Sequence, residues 1–267
     1  MERYAVIGDP VVHSLSPYLF RRIAEETDRE LSYEAVQVRE GELADFLTLA
    51  KHGAYAGVNA TMPHKSMAAA LADERGETVQ RLGAANALRF SEGKIFAENT
   101  DGAGFLTALH WYGIEPKGNH VLLLGAGGAA RAVALALASS GAKVKVLNRT
   151  KEKASALAAL HENISLGEER DLSTAALLVN ATPRGMTVPW EDLGFLDRLG
   201  ADSTVMDLVY APRETELLAA ARKRGLAAYN GFAMLAGQAL RAAEFFFAEP
   251  LDDQALLPKL LKEERRN

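Results

Sequence analysis

Five short stretches carry residues whose types and spacing could do chemistry. Four are polar: His13-Ser14-Leu15-Ser16-Pro17, Asn59-Ala60-Thr61-Met62-Pro63-His64-Lys65, Ala85-Asn86-Ala87 and Asn99-Thr100-Asp101. If strands end beside them, their hydroxyl, amide, ammonium and carboxylate groups make a pocket suited to a polyhydroxylated small molecule. The fifth, Gly125-Ala126-Gly127-Gly128-Ala129-Ala130, has the form G-x-G-x-x-A. Its chemistry is pyrophosphate binding. Gly125 permits a tight turn, Gly127 lets backbone approach the phosphates, and Gly128 and Ala130 let the next helix pack close. The start of that helix offers free N–H groups and a positive dipole end.

Each polar stretch also has a plain structural reading. Ser14 or Ser16 could cap the helix that Pro17 begins, since serine before a first-turn proline is a common start. Asn59 and Asn86 could be turn residues. Asp101 could cap the helix beginning near Gly102, and capping does not exclude catalysis.

The elements that must position these stretches alternate between strand and helix, the pattern of an α/β fold with mainly parallel sheets. The first part predicts strands over Tyr4–Ile7, Tyr33–Val38 and Gly57–Asn59, with helices over Pro17–Glu26, Glu42–Lys51 and Lys65–Leu71. Asn86–Phe90 and Lys94–Ala97 flank the turn Ser91-Glu92-Gly93 and predict a hairpin. A second unit starts near Gly118. There, strand His120–Leu124, the glycine turn, a helix from about Ala130 to Ser140 and strand Lys143–Leu147 form a βαβ unit. Strands follow over Leu177–Asn180, Val205–Leu208 and Ala227–Tyr229, with a helix over Thr215–Arg224. The tail has helical spacing over Met234–Phe247 and Asp252–Lys262, with no strands of its own to cover. These helices are expected to fold back on the first domain, making it discontinuous in sequence.

In open α/β sheets, ligands bind beyond the carboxyl ends of the strands. The residues after the second strand of the βαβ unit choose between nucleotides. NAD enzymes usually place a carboxylate there for the ribose hydroxyls. This chain has Asn148-Arg149-Thr150-Lys151-Glu152-Lys153. Arg149 and Lys153 would attract a 2′-phosphate, and Arg149 can also lie flat on adenine. NADP therefore fits better than NAD. Lys153 alone could equally be a solvated helix-face lysine.

Composition narrows the field. The chain has no cysteine, so disulfides, zinc–thiolate sites, iron–sulfur clusters and thiol nucleophiles are excluded. Its formal charge of -5 gives no reason to seek phosphate backbones, so nucleic acid is a poor candidate partner. The six histidines are scattered without a pair at ligand spacing, and no metal is expected. The N-terminus is broken too early by Gly8 and Pro10 to be a signal peptide. No apolar run approaches the length of a membrane span, and the default is a soluble cytoplasmic protein.

Over nearly its whole length the chain resembles the shikimate dehydrogenase family. Ile7-Gly8-Asp9-Pro10 leading to Ser14-Leu15-Ser16-Pro17 resembles the family's opening, and Asn59–Lys65 its Asn-Val-Thr-x-Pro-His-Lys segment. Asn99-Thr100-Asp101-Gly102, Gly125–Arg131 and Asn148-Arg149-Thr150 continue the series. Asn180-Ala181-Thr182-Pro183, Asp207–Pro212 and Gly231–Leu235 with Gln238 complete it. The chain departs from the family at Ala87, where threonine is usual, at Phe20 and Arg21 in place of histidine and asparagine, and at Ala60 in place of valine.

The resemblance implies an NADP-dependent reduction of 3-dehydroshikimate to shikimate. It implies a substrate domain with a mainly parallel mixed sheet, residues 1–101 and 237–267, and a Rossmann-like NADP-binding domain, residues 102–236, with a catalytic cleft between them. Lys65 and Asp101 would be the catalytic pair. A ketone that accepts hydride becomes an alkoxide and needs a proton or a positive charge. Lysine supplies both, and a carboxylate orients it. Ser14 and Ser16 would hold the substrate carboxylate. Asn59, Thr61, Asn86, Asp101 and Gln238 would contact ring hydroxyls, with Lys65 and Tyr210 also touching substrate. Gly125, Ala126, Gly127, Gly128, Ala129, Asn148, Arg149, Thr150 and Lys153 would hold NADP. Thr182, Tyr210, Gly231 and Met234 would lie near its nicotinamide half, and Leu208 would also contact the cofactor. The partner is then a small molecule, and the enzyme a monomer or homodimer. The competing readings are a quinate/shikimate dehydrogenase using NAD or both cofactors, and a non-catalytic regulator that binds NADP or shikimate.

Overall fold

Short branched apolar runs become strands and the alanine- and leucine-rich stretches between them become helices in the computed structural model, which describes residues 1–262. In chain order the first elements are β1 (Glu2–Gly8), α1 (Ser16–Glu26), β2 (Leu31–Gln37), α2 (Leu43–Leu49), β3 (Gly57–Ala60) and α3 (Lys65–Leu71). They are followed by β4 (Glu74–Arg75), α4 (Glu77–Leu82), β5 (Ala87–Ser91), β6 (Lys94–Glu98) and α5 (Asp101–Trp111). Then come β7 (His120–Leu124), α6 (Gly128–Ser139), β8 (Lys143–Leu147), α7 (Lys151–Ala158), β9 (Ile164–Leu166) and β10 (Leu177–Asn180). The chain continues through β11 (Thr204–Asp207), α8 (Glu216–Lys223), β12 (Ala227–Tyr229), α9 (Phe232–Phe247) and α10 (Asp253–Leu260). Contacts divide it into two units, Met1–Gly104 with the segment from Leu235 onward, and Phe105–Met234. The last five residues of the expected 237–267 segment lie outside the described residues. No helix among the described residues is long and apolar enough to cross a membrane.

The first unit holds a six-stranded sheet in the order β2-β1-β3-β5-β6-β4. β1 runs parallel to β2 and β3, whereas β5 is antiparallel to β3 and β6. The hairpin turn places Glu92 and Gly93 at φ 52° and 71°, the backbone a two-residue turn between twisted strands requires. Side chains of β1 alternate between two buried faces. Ala5 and Ile7 join Val38, Leu43, Leu47, Val58 and Leu88 in one core. On the other face Tyr4 stacks on Phe246 of α9 at 5.3 Å, and Phe20 of α1 lies 5.8 Å from the same ring. Lys259 of α10 pairs with Glu26 of α1 at 2.8 Å. The apolar stripe of the tail thus covers the face of the first sheet that α1 leaves open.

One helix reading needed correction, and two short strands, β4 and β9, were not read. The helix over Glu42–Lys51 ends at Leu49 in a wider turn, Ala50–Ala54, where Gly53 sits at φ 102°. β4 carried no strand signal, because its two residues are both charged and exposed, as suits a sheet edge.

The second unit holds six strands in the order β12-β11-β10-β7-β8-β9, all parallel. The order reverses between β7 and β10, so the crevice at their carboxyl ends is where a nucleotide binds in folds of this kind. On one face of this sheet Leu122, Leu178 and Val205 pack against Leu217, Leu218 and Ala221 of α8.

Candidate active site

Lys65 and Asp101 are each the first residue of a helix that follows the carboxyl end of a strand. After β3 the chain turns through Thr61-Met62-Pro63-His64. The His64 ring donates to the Val38 carbonyl at 2.7 Å and pins that turn. Lys65 then opens α3. At the other helix, Asn99 does the capping that Asp101 was free to do: its Oδ1 accepts the Asp101 N–H at 3.2 Å. The Asp101 carboxylate is thereby released for other work. One of its oxygens accepts from the Lys65 ammonium, and the other accepts from Asn86 Nδ2 at 2.9 Å. The Asp101 side chain is only 9% exposed, and a carboxylate so far from water needs these partners. The Lys65 side chain keeps 24% exposure, enough to meet a ligand.

Asn86 is the hub of this network. Its Nδ2 also donates to Thr100 Oγ1 at 2.9 Å and to Gln238 Oε1 at 3.3 Å. Its Oδ1 accepts from the Thr100 N–H at 2.7 Å. Both ends of the amide are therefore engaged, and the orientation is set by partners that cannot exchange roles. Asn59, buried on β3 rather than in a turn, donates to the Asn86 carbonyl at 3.0 Å. Its Oδ1 accepts from Tyr33 at 2.7 Å. The Ser14 hydroxyl accepts the Ser16 N–H at 3.2 Å, and Ser16 is the buried first residue of α1. Thr61 follows β3 directly, its backbone N–H bonded to the Ile7 carbonyl at 2.9 Å.

Gln238 reaches this cluster because α9 crosses α5 closely at Gly104. A Cβ on Gly104 would lie 2.3 Å from Gln238 N and 2.6 Å from its Cα. Gly104→Ala should therefore force the helices apart. Backbone cannot swing aside, so the clash outweighs the ~1 kcal/mol that alanine gains inside a helix. The expected loss is roughly 1–3 kcal/mol, typical of overpacking. It should appear as a lower Tm. An unchanged Tm would mean that α9 yields freely at this crossing.

In the second unit the glycine turn follows β7. Gly125 sits at φ 109°, and a Cβ there would fall 2.9 Å from the Ala181 carbonyl oxygen, so only glycine fits. A Cβ at Gly127 would meet nothing, which leaves the front of the turn open to a ligand. The same is true of Gly128, so close helix packing does not depend on it; that role belongs to Ala130, which is fully buried. Ala126 is buried and Ala129 lies in the first turn of α6. Beyond β8, Asn148 donates to the Thr150 carbonyl at 2.8 Å and shapes the turn that leaves Arg149 exposed. Lys153 is exposed in the first turn of α7. This cradle and these cations suit a dinucleotide carrying an extra phosphate.

Thr182 lies against the glycine turn, its hydroxyl donating to Asn180 Oδ1 at 2.6 Å. Asn180 donates in turn to Asp207 at 2.8 Å, and Thr215 donates to the same carboxyl at 2.7 Å. Burial raises the Asp207 carboxyl above its ordinary range, against the opposing pull of these donors. Leu208 takes its backbone bond from N–H to the Asn180 carbonyl at 2.9 Å. Gly231 and Met234 are buried at the start of α9, and burial raises the Tyr210 hydroxyl.

The structure thus brings Lys65, Asp101, Asn86, Asn59 and Gln238 into one hydrogen-bonded cluster in the first unit. It gathers the glycine turn and Thr182 in the second. Reading the sequence passed over Thr100, Tyr33, Asp207 and Thr215. Thr100 sat inside a polar stretch and could have been weighed. Tyr33 lies in an ordinary strand pattern and gave no signal.

Residues 6–88 match the family described as shikimate dehydrogenase substrate binding domain, and residues 110–181 match shikimate / quinate 5-dehydrogenase. The chain is 42% identical over 259 residues to the shikimate dehydrogenase (NADP(+)) of Acidiphilium cryptum, covering 94% of this chain and 92% of that one. It is 38% identical over 257 residues to the enzyme of the same name from Methanocella arvoryzae, covering 92% and 93%. It also superposes with a TM-score of 0.89 on shikimate 5-dehydrogenase of Thermus thermophilus, solved in complex with NADP(H) and shikimate. That pair is 37% identical, with 98% of this chain and 99% of that chain covered.

Proposed function

We infer the reaction from one premise: the chain belongs to the shikimate dehydrogenase family. It is an NADP-dependent oxidoreductase that reversibly reduces 3-dehydroshikimate to shikimate, a step toward chorismate and the aromatic amino acids. The observation that carries the assignment of roles is the Lys65–Asp101–Asn86 cluster, an ammonium held by a carboxylate whose other oxygen is also bonded.

NADPH, when bound, supplies the hydride. The glycine turn from Gly125 to Ala129 would hold its pyrophosphate, with Asn148, Arg149, Thr150 and Lys153 around the 2′-phosphate. Thr182, Tyr210, Gly231 and Met234 would lie near the nicotinamide half, with Leu208 also against the cofactor. The protein's own part in the chemical step is the proton. As the ketone carbon gains hydride, its oxygen gains negative charge, which Lys65 stabilises and then neutralises by giving up one ammonium proton. Water later returns a proton to the lysine. Asp101 keeps the ammonium aimed at that oxygen. Asn59, Thr61, Asn86, Asp101 and Gln238 contact the substrate's hydroxyls, Tyr210 also touches substrate, and the enzyme works in the cytoplasm as a monomer or homodimer.

NADPH oxidation with 3-dehydroshikimate is the direct assay. No turnover would overturn the reading in favour of a binding protein. Faster turnover with quinate and NAD would favour the wider-specificity enzyme.

The Ser14–Ser16 segment contains no arginine, so neutral hydroxyls must hold the substrate carboxylate. That group carries the same charge in ground and transition states. Ser14→Ala and Ser16→Ala should therefore raise KM more than they lower kcat. A large fall in kcat at unchanged KM would contradict the assignment.

A further inference from the structure

The substrate half of the molecule contains a phenol that no role above uses. Tyr33 on β2 and Asn59 on β3 flank β1 and share a face of the sheet, since Tyr4 pairs with Tyr33 and Val6 pairs with Asn59. The Tyr33 hydroxyl reaches across β1 and donates to Asn59 Oδ1 at 2.7 Å. Phe20, fully buried on α1, stacks on the Tyr33 ring with centroids 4.1 Å apart and an interplanar angle of 18°. The ring therefore has little room to swing.

These bonds leave Asn59 one way to face. One Nδ2 hydrogen goes to the Asn86 carbonyl at 3.0 Å, and Oδ1 takes the phenol proton. What remains for a ligand is the second N–H and one lone pair. The phenol thereby ties β2 to β3 across β1.

We propose that Tyr33 is a positioning residue for substrate recognition, which fixes the face that Asn59 offers to the substrate. Without the hydroxyl, Asn59 Oδ1 loses its partner in a buried setting and the amide loses one of its two anchors. The substrate then meets an Asn59 amide that is free to turn. Cofactor contacts and the Lys65–Asp101 pair are untouched by the change. The inference rests on the reading of Asn59 as a substrate residue.

The test is a double-mutant cycle with Tyr33→Phe and Asn59→Ala. Two quantities are measured: shikimate binding by calorimetry, with no nucleotide present, and the steady-state constants for 3-dehydroshikimate. Tyr33→Phe removes one oxygen and keeps the ring stack, so the fold should survive. It should weaken shikimate binding and raise KM by about tenfold, the order expected when a buried polar group loses a partner. It should leave kcat within about twofold and KM for NADPH unchanged. The double variant should lose clearly less than the product of the two single losses, because Tyr33 acts largely through Asn59. Independent, multiplying losses would overturn the proposal, as would normal shikimate binding in Tyr33→Phe alongside weakened binding in Asn59→Ala. If Asn59→Ala itself binds shikimate normally, the assignment of Asn59 falls, and this inference falls with it.

Discussion

Lys65→Met lowers kcat by about 10²–10⁴, the usual range for a positioned acid or base, while NADPH binding stays near that of the unaltered enzyme. Methionine nearly keeps the bulk of the lysine stem but removes both the charge and the proton. In the unaltered protein the ammonium is held by Asp101, whose second oxygen is bonded to Asn86 at 2.9 Å. The carboxylate has little exposure, so its loss of the lysine leaves a poorly compensated charge. Asp101→Asn should therefore slow turnover as well. The double variant should be little worse than the poorer single one, since the two groups act as a unit. Steady-state kinetics of all three variants, with NADPH binding measured separately, decides the matter. If Lys65 only bonded a substrate hydroxyl, KM would rise and kcat would survive; near-normal kcat at saturating substrate would sink the assignment.

Arg149→Ala weakens NADPH binding by roughly tenfold or more and leaves NADH use largely intact. The side chain is exposed at the carboxyl end of β8, on a turn shaped by the bond from Asn148 to the Thr150 carbonyl. Its planar guanidinium can stack on adenine and bond a 2′-phosphate at the same time. A hydrogen bond to a charged group is worth about 1.5–3 kcal/mol, which sets the size of the effect. NADH lacks the phosphate and should be affected only through the stacking. Dissociation constants for both nucleotides provide the comparison, and equal weakening would mean that Arg149 does not read the phosphate.

Much of this molecule was legible along the chain. Val121-Leu122-Leu123-Leu124 before a glycine turn, and Val144 to Leu147 after the helix, could only be adjacent buried strands of a nucleotide-binding half. Local rules suffice there, because the turn, the helix start and the strand pairing all lie within a few dozen residues. The same holds for α3, which runs over Lys65–Leu71 as the spacing predicts. Arg149 in place of a carboxylate was enough to favour NADP, since charge type alone separates a phosphate from a hydroxyl.

What each polar residue does was decided only by folding. Asn99 and Asp101 are two residues apart and both suited to capping a helix, and sequence could not say which would do it. Asn99 caps, and the aspartate turns to the lysine. Asn86 looked like one more ring contact, yet its amide is shared among Thr100, Asp101 and Gln238, the last of them 152 residues away. Gly128 looked necessary for helix packing, but only the folded chain reveals that nothing would touch its Cβ. Tyr33 carried no motif at all, because its importance lies in a bond across β1 to another strand. The three hydrogen-bonded cases share one physical reason. Propensity and periodicity act between near neighbours in the chain, whereas a hydrogen bond exists or not according to a few tenths of an ångström between segments that sequence leaves far apart.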